Sequence, residues 1–358
     1  MHVMTYIGIL TVMQLEGFAP MQGFWRFPFP KKILHKDGIV CKIEVRFFSG
    51  KDDMKHIFIV NPVSGQGDVQ KRLVLELAAR GLAHYLTKWP GDGENFVRET
   101  CEANRQGAFR FYACGGDGTL NEVVNGAFGF ENAEVACVPT GSGNDFIRNF
   151  GVQAENFSDI DRQLSGIAVA ADLIRYRDSK KSPEARYAAN MVNIGFDCNV
   201  VATTAKVKKF PLIRGSFAYL LSILIMLIRK KGEDLAIGFD DGLRHEGPVL
   251  LTAVGNGAFC GGGLKGVPLA SVGDGLIDVC IIENVPRRTL VSLLPKYAKG
   301  SYLDDSRVHG LITYKKCKSV TVKNAKESWL ICVDGEVIPA GEVKFEIVPA
   351  AFKFSVPG

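Results

Sequence analysis

Arg110-Phe111-Tyr112-Ala113-Cys114-Gly115-Gly116-Asp117-Gly118-Thr119-Leu120-Asn121-Glu122-Val123-Val124-Asn125-Gly126 is the stretch that decides the fold. Its first five residues form an almost wholly apolar run, which reads as a strand buried on both faces. Three glycines and an aspartate follow at once. Leu120, Val123, Val124 and Ala127 then recur at i, i+3, i+4 and i+7, the spacing of one buried helix face. The segment is therefore a strand, a tight glycine-rich turn and a helix, with Thr119 suited to cap the helix start.

The same alternation extends outward on both sides. Residues 57–60, 84–87 and 134–138 read as further strands, and residues 68–80 and 94–105 as helices. Alternating strands and helices, with apolar strands, predict a mainly parallel sheet covered on both faces. In such sheets ligands sit beyond the carboxyl ends of the strands. After about Ala168 the pattern changes to short β-type runs at 171–176, 191–196, 249–254, 276–282, 319–322, 329–333, 343–348 and 352–356. Helices are expected there only at 216–229 and 289–299. The reading is an α/β N-terminal domain over 54–167 and a β-rich, antiparallel C-terminal domain over 168–358. Residues 1–53 fit neither domain. They carry the aromatic and proline run Phe24-Trp25-Arg26-Phe27-Pro28-Phe29-Pro30 without periodicity, and the globular pattern starts abruptly at Met54. They are expected to be an accessory extension, or to precede the true start at Met54.

Composition narrows the function class. Of 358 residues, 47% are apolar and 23% charged, as in ordinary globular proteins. A balance of 43 Lys and Arg against 38 Asp and Glu falls short of a nucleic-acid footprint. Nine cysteines without a C-x-x-C pair argue for buried thiols in a reducing compartment rather than a disulfide framework or zinc site. The apolar run 217–228 is shorter than the ~20 residues a spanning helix needs, and residues 6–13 lack a basic flank and a cleavage site. A cytoplasmic protein is expected. Lys206, Lys208, Lys209 and Arg214 before the run, and Arg229-Lys230-Lys231 after it, suit contact with the inner face of an anionic membrane. An ordinary buried helix fits the same run.

Three loops follow three strands of the first domain: Asn61-Pro62-Val63-Ser64-Gly65-Gln66-Gly67, Gly115-Gly116-Asp117-Gly118-Thr119, and Pro139-Thr140-Gly141-Ser142-Gly143-Asn144-Asp145. Glycine lets a backbone approach phosphate closely, and N–H groups at a helix start attract anions. One such loop is as well explained by a tight turn. Three at one edge point to a phosphate-bearing ligand.

Gly115-Gly116-Asp117-Gly118-Thr119 resembles the GGDGT signature shared by diacylglycerol kinases, sphingosine kinases, NAD kinases and 6-phosphofructokinases. The continuation Leu120-Asn121-Glu122-Val123-Val124-Asn125-Gly126 and the segment Pro139-Thr140-Gly141-Ser142-Gly143-Asn144-Asp145-Phe146 are similar to the lipid-kinase version, with Ser142 where Thr is usual. The resemblance continues through Asn193-Ile194-Gly195-Phe196-Asp197, Gly255-Asn256-Gly257, Gly261-Gly262-Gly263, Ser271-Val272-Gly273-Asp274-Gly275-Leu276 and Asp334-Gly335-Glu336. Asn193 replaces a family glycine, and Gly273 replaces the first aspartate of a D-D-G segment. From Met54 to the C-terminus the chain resembles the bacterial-type soluble diacylglycerol kinase (lipid kinase) family.

That resemblance implies a two-domain fold like that of NAD kinase and diacylglycerol kinase. It also implies transfer of the γ-phosphoryl group of ATP to a lipid hydroxyl, with Mg²⁺. Asn61, Pro62, Ser64, Gly65, Thr87, Gly115, Gly116, Asp117, Gly118, Thr119, Asn121 and Ser142 would hold the nucleotide, with Asp117 serving the Mg·ATP complex. Asp334 would be the general base, supported by Glu336. Without the resemblance, Asp334-Gly335 reads as a hairpin turn. A second, structural Mg²⁺ would be held by Asp274 and the carbonyls of Ser271 and Leu276. The acceptor is expected at a membrane surface, and a monomer and a homodimer both remain open. NAD kinase is the rival enzyme, and a non-catalytic nucleotide or lipid sensor the rival of another class.

Overall fold

The computed structural model describes residues 54–65, 67–180, 182–207, 222, 225, 226, 228, 229, 232–308, 310–327 and 329–358. The extension 1–53 lies outside these residues, as does most of the 206–231 segment with its expected helix 216–229.

Four strands form the parallel part: β1 (Lys55–Val60), β2 (Ala83–Leu86), β3 (Phe109–Gly115) and β4 (Ala133–Pro139). They pair in the order β4-β3-β1-β2, all parallel. Three helices lie between them: α1 (Gly67–Ala79), α2 (Asp92–Ala103) and α3 (Asp117–Ala127). Every residue of β3 is buried, which is why its sequence is apolar without alternation. Leu73 and Leu77 of α1 pack with Phe58, Val60, Tyr112, Cys114, Ala136 and Val138. Each large apolar side chain removed from water in this way contributes roughly 1.5–3 kcal/mol.

The second half is antiparallel, as its short β runs predict. Its strands are β5 (Ile167–Asp178), β6 (Ser182–Ala188), β7 (Met191–Gly195), β8 (Glu233–Phe239), β9 (Arg244–Gly255), β10 (Ile277–Glu283), β11 (Ile312–Cys317), β12 (Ser319–Asn324), β13 (Trp329–Val333), β14 (Glu336–Ala340) and β15 (Glu342–Val356). The backbone order is β14-β13-β7-β9-β8-β12-β15-β4-β3-β1-β2, so one hydrogen-bonded sheet runs through both halves. The join is made by β15, antiparallel to β5 and parallel to β4 through Lys353 and Phe354. Phe354 seals it by packing edge-to-face with Phe146, ring centroids 5.0 Å apart.

Two apolar clusters flank the antiparallel strands. One gathers Ile174, Val192, Ile194, Ile237, Val279, Ile331 and Phe345. The other gathers Met191, Phe196, Leu251, Cys280, Leu290 and Tyr297, and draws on helices Phe196–Val207 and Arg287–Lys299. The first of these helices was not anticipated. The two expected strands 343–348 and 352–356 are one, broken by an irregularity at Pro349-Ala350, where Ala350 takes φ 47°.

Candidate active site

The three glycine-rich loops meet where β1, β3 and β4 end. Asn61 joins the first to the second, its Nδ2 donating to Thr119 Oγ1 at 3.1 Å. Its Oδ1 accepts from Val63 N and turns the loop back. Gly65 has φ 74°, and a Cβ there would lie 2.1 Å from the Thr140 carbonyl oxygen, so the first loop packs on the third through a position only glycine can fill. Gln70 of α1 ties the same two loops, donating to Thr140 Oγ1 at 2.6 Å and Ser64 O at 3.4 Å. The second and third loops share the Gly115 carbonyl, which accepts from Thr140 N and Gly141 N. Thr87 N donates to Val60 O and brings the end of β2 to the same edge. Pro62 and Ser142 are exposed on this rim. The first-turn N–H groups of α3 have no preceding turn to accept them and face the loops. A helix start of this kind is able to hold an anion.

Asp117 opens α3. Its Oδ1 accepts from Asp145 N at 2.7 Å and Phe146 N at 3.4 Å. Burial, sharpened by the Asp145 carboxylate, pushes its carboxyl up to about 7. Asp145 is itself raised by burial, against the N–H groups of Gly262 and Gly263 that its oxygens accept. The Arg148 guanidinium lies 3.6 Å from Asp145, but no ion pair joins Asp117 to a cation among the described residues. A divalent cation held at Asp117 would supply that charge, so this carboxylate fits Mg²⁺.

Asp334 and Gly335 form the two-residue turn between β13 and β14, with φ 44° and 90°. The hairpin and active-site readings of this pair are therefore compatible, because the turn delivers Asp334 to the site. Asp334 is 5% exposed. One carboxylate oxygen accepts from Asn190 N (3.0 Å) and Met191 N (2.9 Å), the other from Ala189 N (2.7 Å) and Asn121 Nδ2 (2.9 Å). Burial raises its pKa and these four donors oppose the rise. Glu336 opens β14 and is exposed, and a Cβ on Gly118 would lie 2.9 Å from its Oε1. Desolvation of its carboxyl end, with Glu122 and Asp334 nearby, raises the Glu336 pKa.

Asn121 does not turn its amide to the loops. It donates to Tyr187 O (2.8 Å) and Asp334, so it binds the nucleotide-loop helix to β6 and to the β13–β14 turn. Beside it lies a cavity of about 290 Å³ lined by Tyr176, Arg186, Ile331, Val333 and Glu336 among others. Arg186 bridges this wall to Glu94 of α2 at 2.7 Å. Glu122 accepts from Gly91 N and Gly93 N, fixing the turn after β2. Gln70, Asp145, Glu122 and Arg186 are additions to the sequence-derived site. Asp145 and Glu122 had a signal, inside the Asn-Asp-Phe segment and the Leu120–Gly126 continuation.

The 271–276 loop is separate from this constellation in its bonding. Asp274 Oδ1 accepts from Leu276 N at 3.1 Å, and Ser271 O accepts from Asp274 N at 3.4 Å. The other Asp274 oxygen is paired with Lys316 at 2.7 Å. Among the described residues no three His, Cys, Asp or Glu side chains gather as metal ligands. The carboxylate expected to lead the set of Ser271, Asp274 and Leu276 thus has both oxygens engaged.

Residues 55–176 match the model of the diacylglycerol kinase catalytic domain, and residues 190–356 that of the YegS C-terminal NAD kinase beta sandwich-like domain. Over 302 residues the chain is 30% identical to YtlR of Bacillus subtilis, which carries a lipid kinase name, covering 80% of this chain and 94% of that one. The chain belongs to the diacylglycerol kinase family of lipid kinases. A diacylglycerol kinase of Staphylococcus saprophyticus is 30% identical over 284 residues, covering 78% of this chain and 87% of its own. A diacylglycerol kinase crystal structure from Bacillus anthracis shares the fold at TM-score 0.63 and 24% identity, over 84% of this chain and 96% of that one. The kinase is a phosphotransferase that uses ATP. The names of these relatives favour the lipid kinase over its NAD kinase rival. No helix among the described residues is long and apolar enough to cross a membrane.

Proposed function

We propose that this kinase phosphorylates the hydroxyl of a diacylglycerol-like lipid at the cavity between Asn121 and Glu336. The observation that carries this is the convergence of Gly118, Asn121, Asp334 and Glu336 at the end of the phosphate-loop helix. The loops of Asn61, Gly65, Gly115–Thr119 and Ser142 hold the triphosphate by backbone N–H groups, and Thr87 borders the nucleotide. Asp117, with Asp145 behind it, would hold Mg²⁺, and the charge such an ion supplies would offset that of the phosphate oxygens. The cavity mixes the apolar walls Ile331 and Val333 with polar groups, which suits a lipid alcohol entering hydroxyl first.

The hydroxyl proton needs a carboxylate within hydrogen-bond reach. Glu336 reaches the cavity without a hydrogen-bond partner among the described residues, whereas Asp334 already accepts four bonds. We assign the proton to Glu336 in this conformation and give Asp334 the task of fixing the turn to α3. The reverse division, which the sequence match favours, requires Asp334 to exchange its bond from Asn121 for one from the acceptor. The 206–231 segment would bring the kinase to the inner face of the membrane, as monomer or homodimer. Transfer from radiolabelled ATP across a lipid panel in detergent micelles tests the reading. Labelled NAD without any labelled lipid would reject it.

A further inference from the structure

The loop that the family resemblance assigns to a structural metal is bounded by groups that answer one another. Asp278 of β10 and Lys316 of β11 are cross-strand partners. Asp278 is wholly buried. The Lys316 ammonium donates to Asp278 Oδ2 at 2.9 Å, Asp274 Oδ2 at 2.7 Å and Leu269 O at 3.0 Å. An ammonium has three N–H bonds, and all three are used on oxygens from three separate points of the loop and strand. The remaining Asp278 oxygen accepts from Tyr314 OH at 2.7 Å, and that hydroxyl accepts from Leu269 N at 3.1 Å. On the opposite side Asp172 accepts from Gly275 N and Ala350 N, both at 2.7 Å. The loop is closed from both sides by the chain's own groups.

Mg²⁺ demands about six oxygens near 2.0–2.1 Å. Here the carboxylate that would lead the ligand set is already bound to a cation, and Gly273 offers no second carboxylate. We propose that the Lys316 side chain is the permanent cation of the 271–278 loop, filling the place a divalent ion would take. The kinase then needs divalent metal solely with its nucleotide. This follows from the loop's own geometry and is independent of which hydroxyl is phosphorylated.

The experiment is thermal unfolding of the full chain without nucleotide, in Mg²⁺ and in EDTA. The Asp117→Asn background removes any ion at the nucleotide loops. The parent chain should melt at the same temperature in both solutions. Lys316→Met, of similar length but neutral, leaves Asp274 and Asp278 facing each other. It should melt several degrees lower in EDTA and regain stability as Mg²⁺ is added, through binding to the native state alone. A parent Tm that rises with Mg²⁺, with the rise abolished by Asp274→Asn, would overturn the proposal. So would a Lys316→Met chain that is destabilised yet indifferent to Mg²⁺, because the lysine would then be an ordinary ion pair. If Lys316→Met is too unstable to isolate, the parent comparison decides by itself.

Discussion

Asp117→Asn separates the electrostatic role of this residue from its structural one. The native carboxyl titrates at about 7 against 3.8 for the unconstrained group. Below both values the native and unfolded states each hold the proton, and Asp117 has no effect on the pH dependence. Between them the native state keeps a proton that the unfolded chain has lost, so stability falls as pH rises through that window. Above it the full cost of a buried carboxylate remains. Three pKa units correspond to roughly 4 kcal/mol, an upper figure because the half-buried side chain still meets solvent. Asn keeps the oxygen that accepts from Asp145 N and offers an amide toward the Asp145 carboxylate. The nucleotide-free variant should therefore melt higher than the native chain at pH 8, by on the order of 5 °C, with the gap closing toward pH 4–5. Kinase turnover should fall roughly 100-fold or more, because the variant holds Mg²⁺ poorly. Scanning calorimetry from pH 4 to 8 beside a saturating-substrate kinase assay reads both. A variant no more stable than the native chain at pH 8, or near-native turnover, would refute the argument.

Glu336→Gln should remove the acidic limb of the kcat–pH profile and lower kcat by about 10²–10⁴, while Asp334→Asn should lower kcat and Tm together. A profile lost in Asp334→Asn alone would return the base to Asp334. Asn121→Ala removes a donor from the Asp334 carboxylate while the Tyr187 carbonyl keeps that of Asn125, and denaturant unfolding should show a loss of about 1–3 kcal/mol. Gly65→Ala forces a side chain into the Thr140 carbonyl at positive φ. ATP binding by calorimetry should weaken at least tenfold, with the α/β core still folded. The basic flanks of the 206–231 segment predict liposome co-sedimentation that declines as salt rises, each lysine contributing on the order of 1 kcal/mol near an anionic surface.

The parallel half was legible because burial on both faces leaves apolar runs that carry their own boundaries. The expected strand 110–114 is found as Phe109–Gly115, and 134–138 as Ala133–Pro139. The antiparallel half hid four strands. In β8, Leu235, Ile237 and Phe239 alternate inward, yet the intervening Ala236 and Gly238 are not polar and so weakened the period. In β11 the lysines at 315 and 316 interrupt the apolar run, although each is bound to an aspartate of another segment. β6 and β14 contain Pro183 and Pro339, and proline speaks against a strand unless it lies at an edge. Both are edges: among the described residues β6 pairs with β5 alone, and β14 with β13 alone. Within the site, glycines and motif aspartates were readable one by one. Gln70 and Arg186 were not, and Glu122 was visible only as part of a motif, because their roles exist only between segments brought together by the fold.

The asparagine at 121 shows what that assembly accomplishes. Its backbone belongs to the helix that follows the Gly115–Gly118 loop, while its amide grips a carboxylate 213 positions away and a carbonyl of β6. Asn125, one turn on, donates to the same carbonyl and accepts from Tyr187 N. Phosphoryl transfer requires donor and acceptor closely in line, and its loose transition state leaves little for the protein to supply beyond such placement and charge. Two asparagines on consecutive turns of one helix tie α3 to β6, and Asn121 also ties it to the β13–β14 turn. Under the proposed function Asn121, expected from the sequence to contact the nucleotide, would also set the distance across which the phosphoryl group moves.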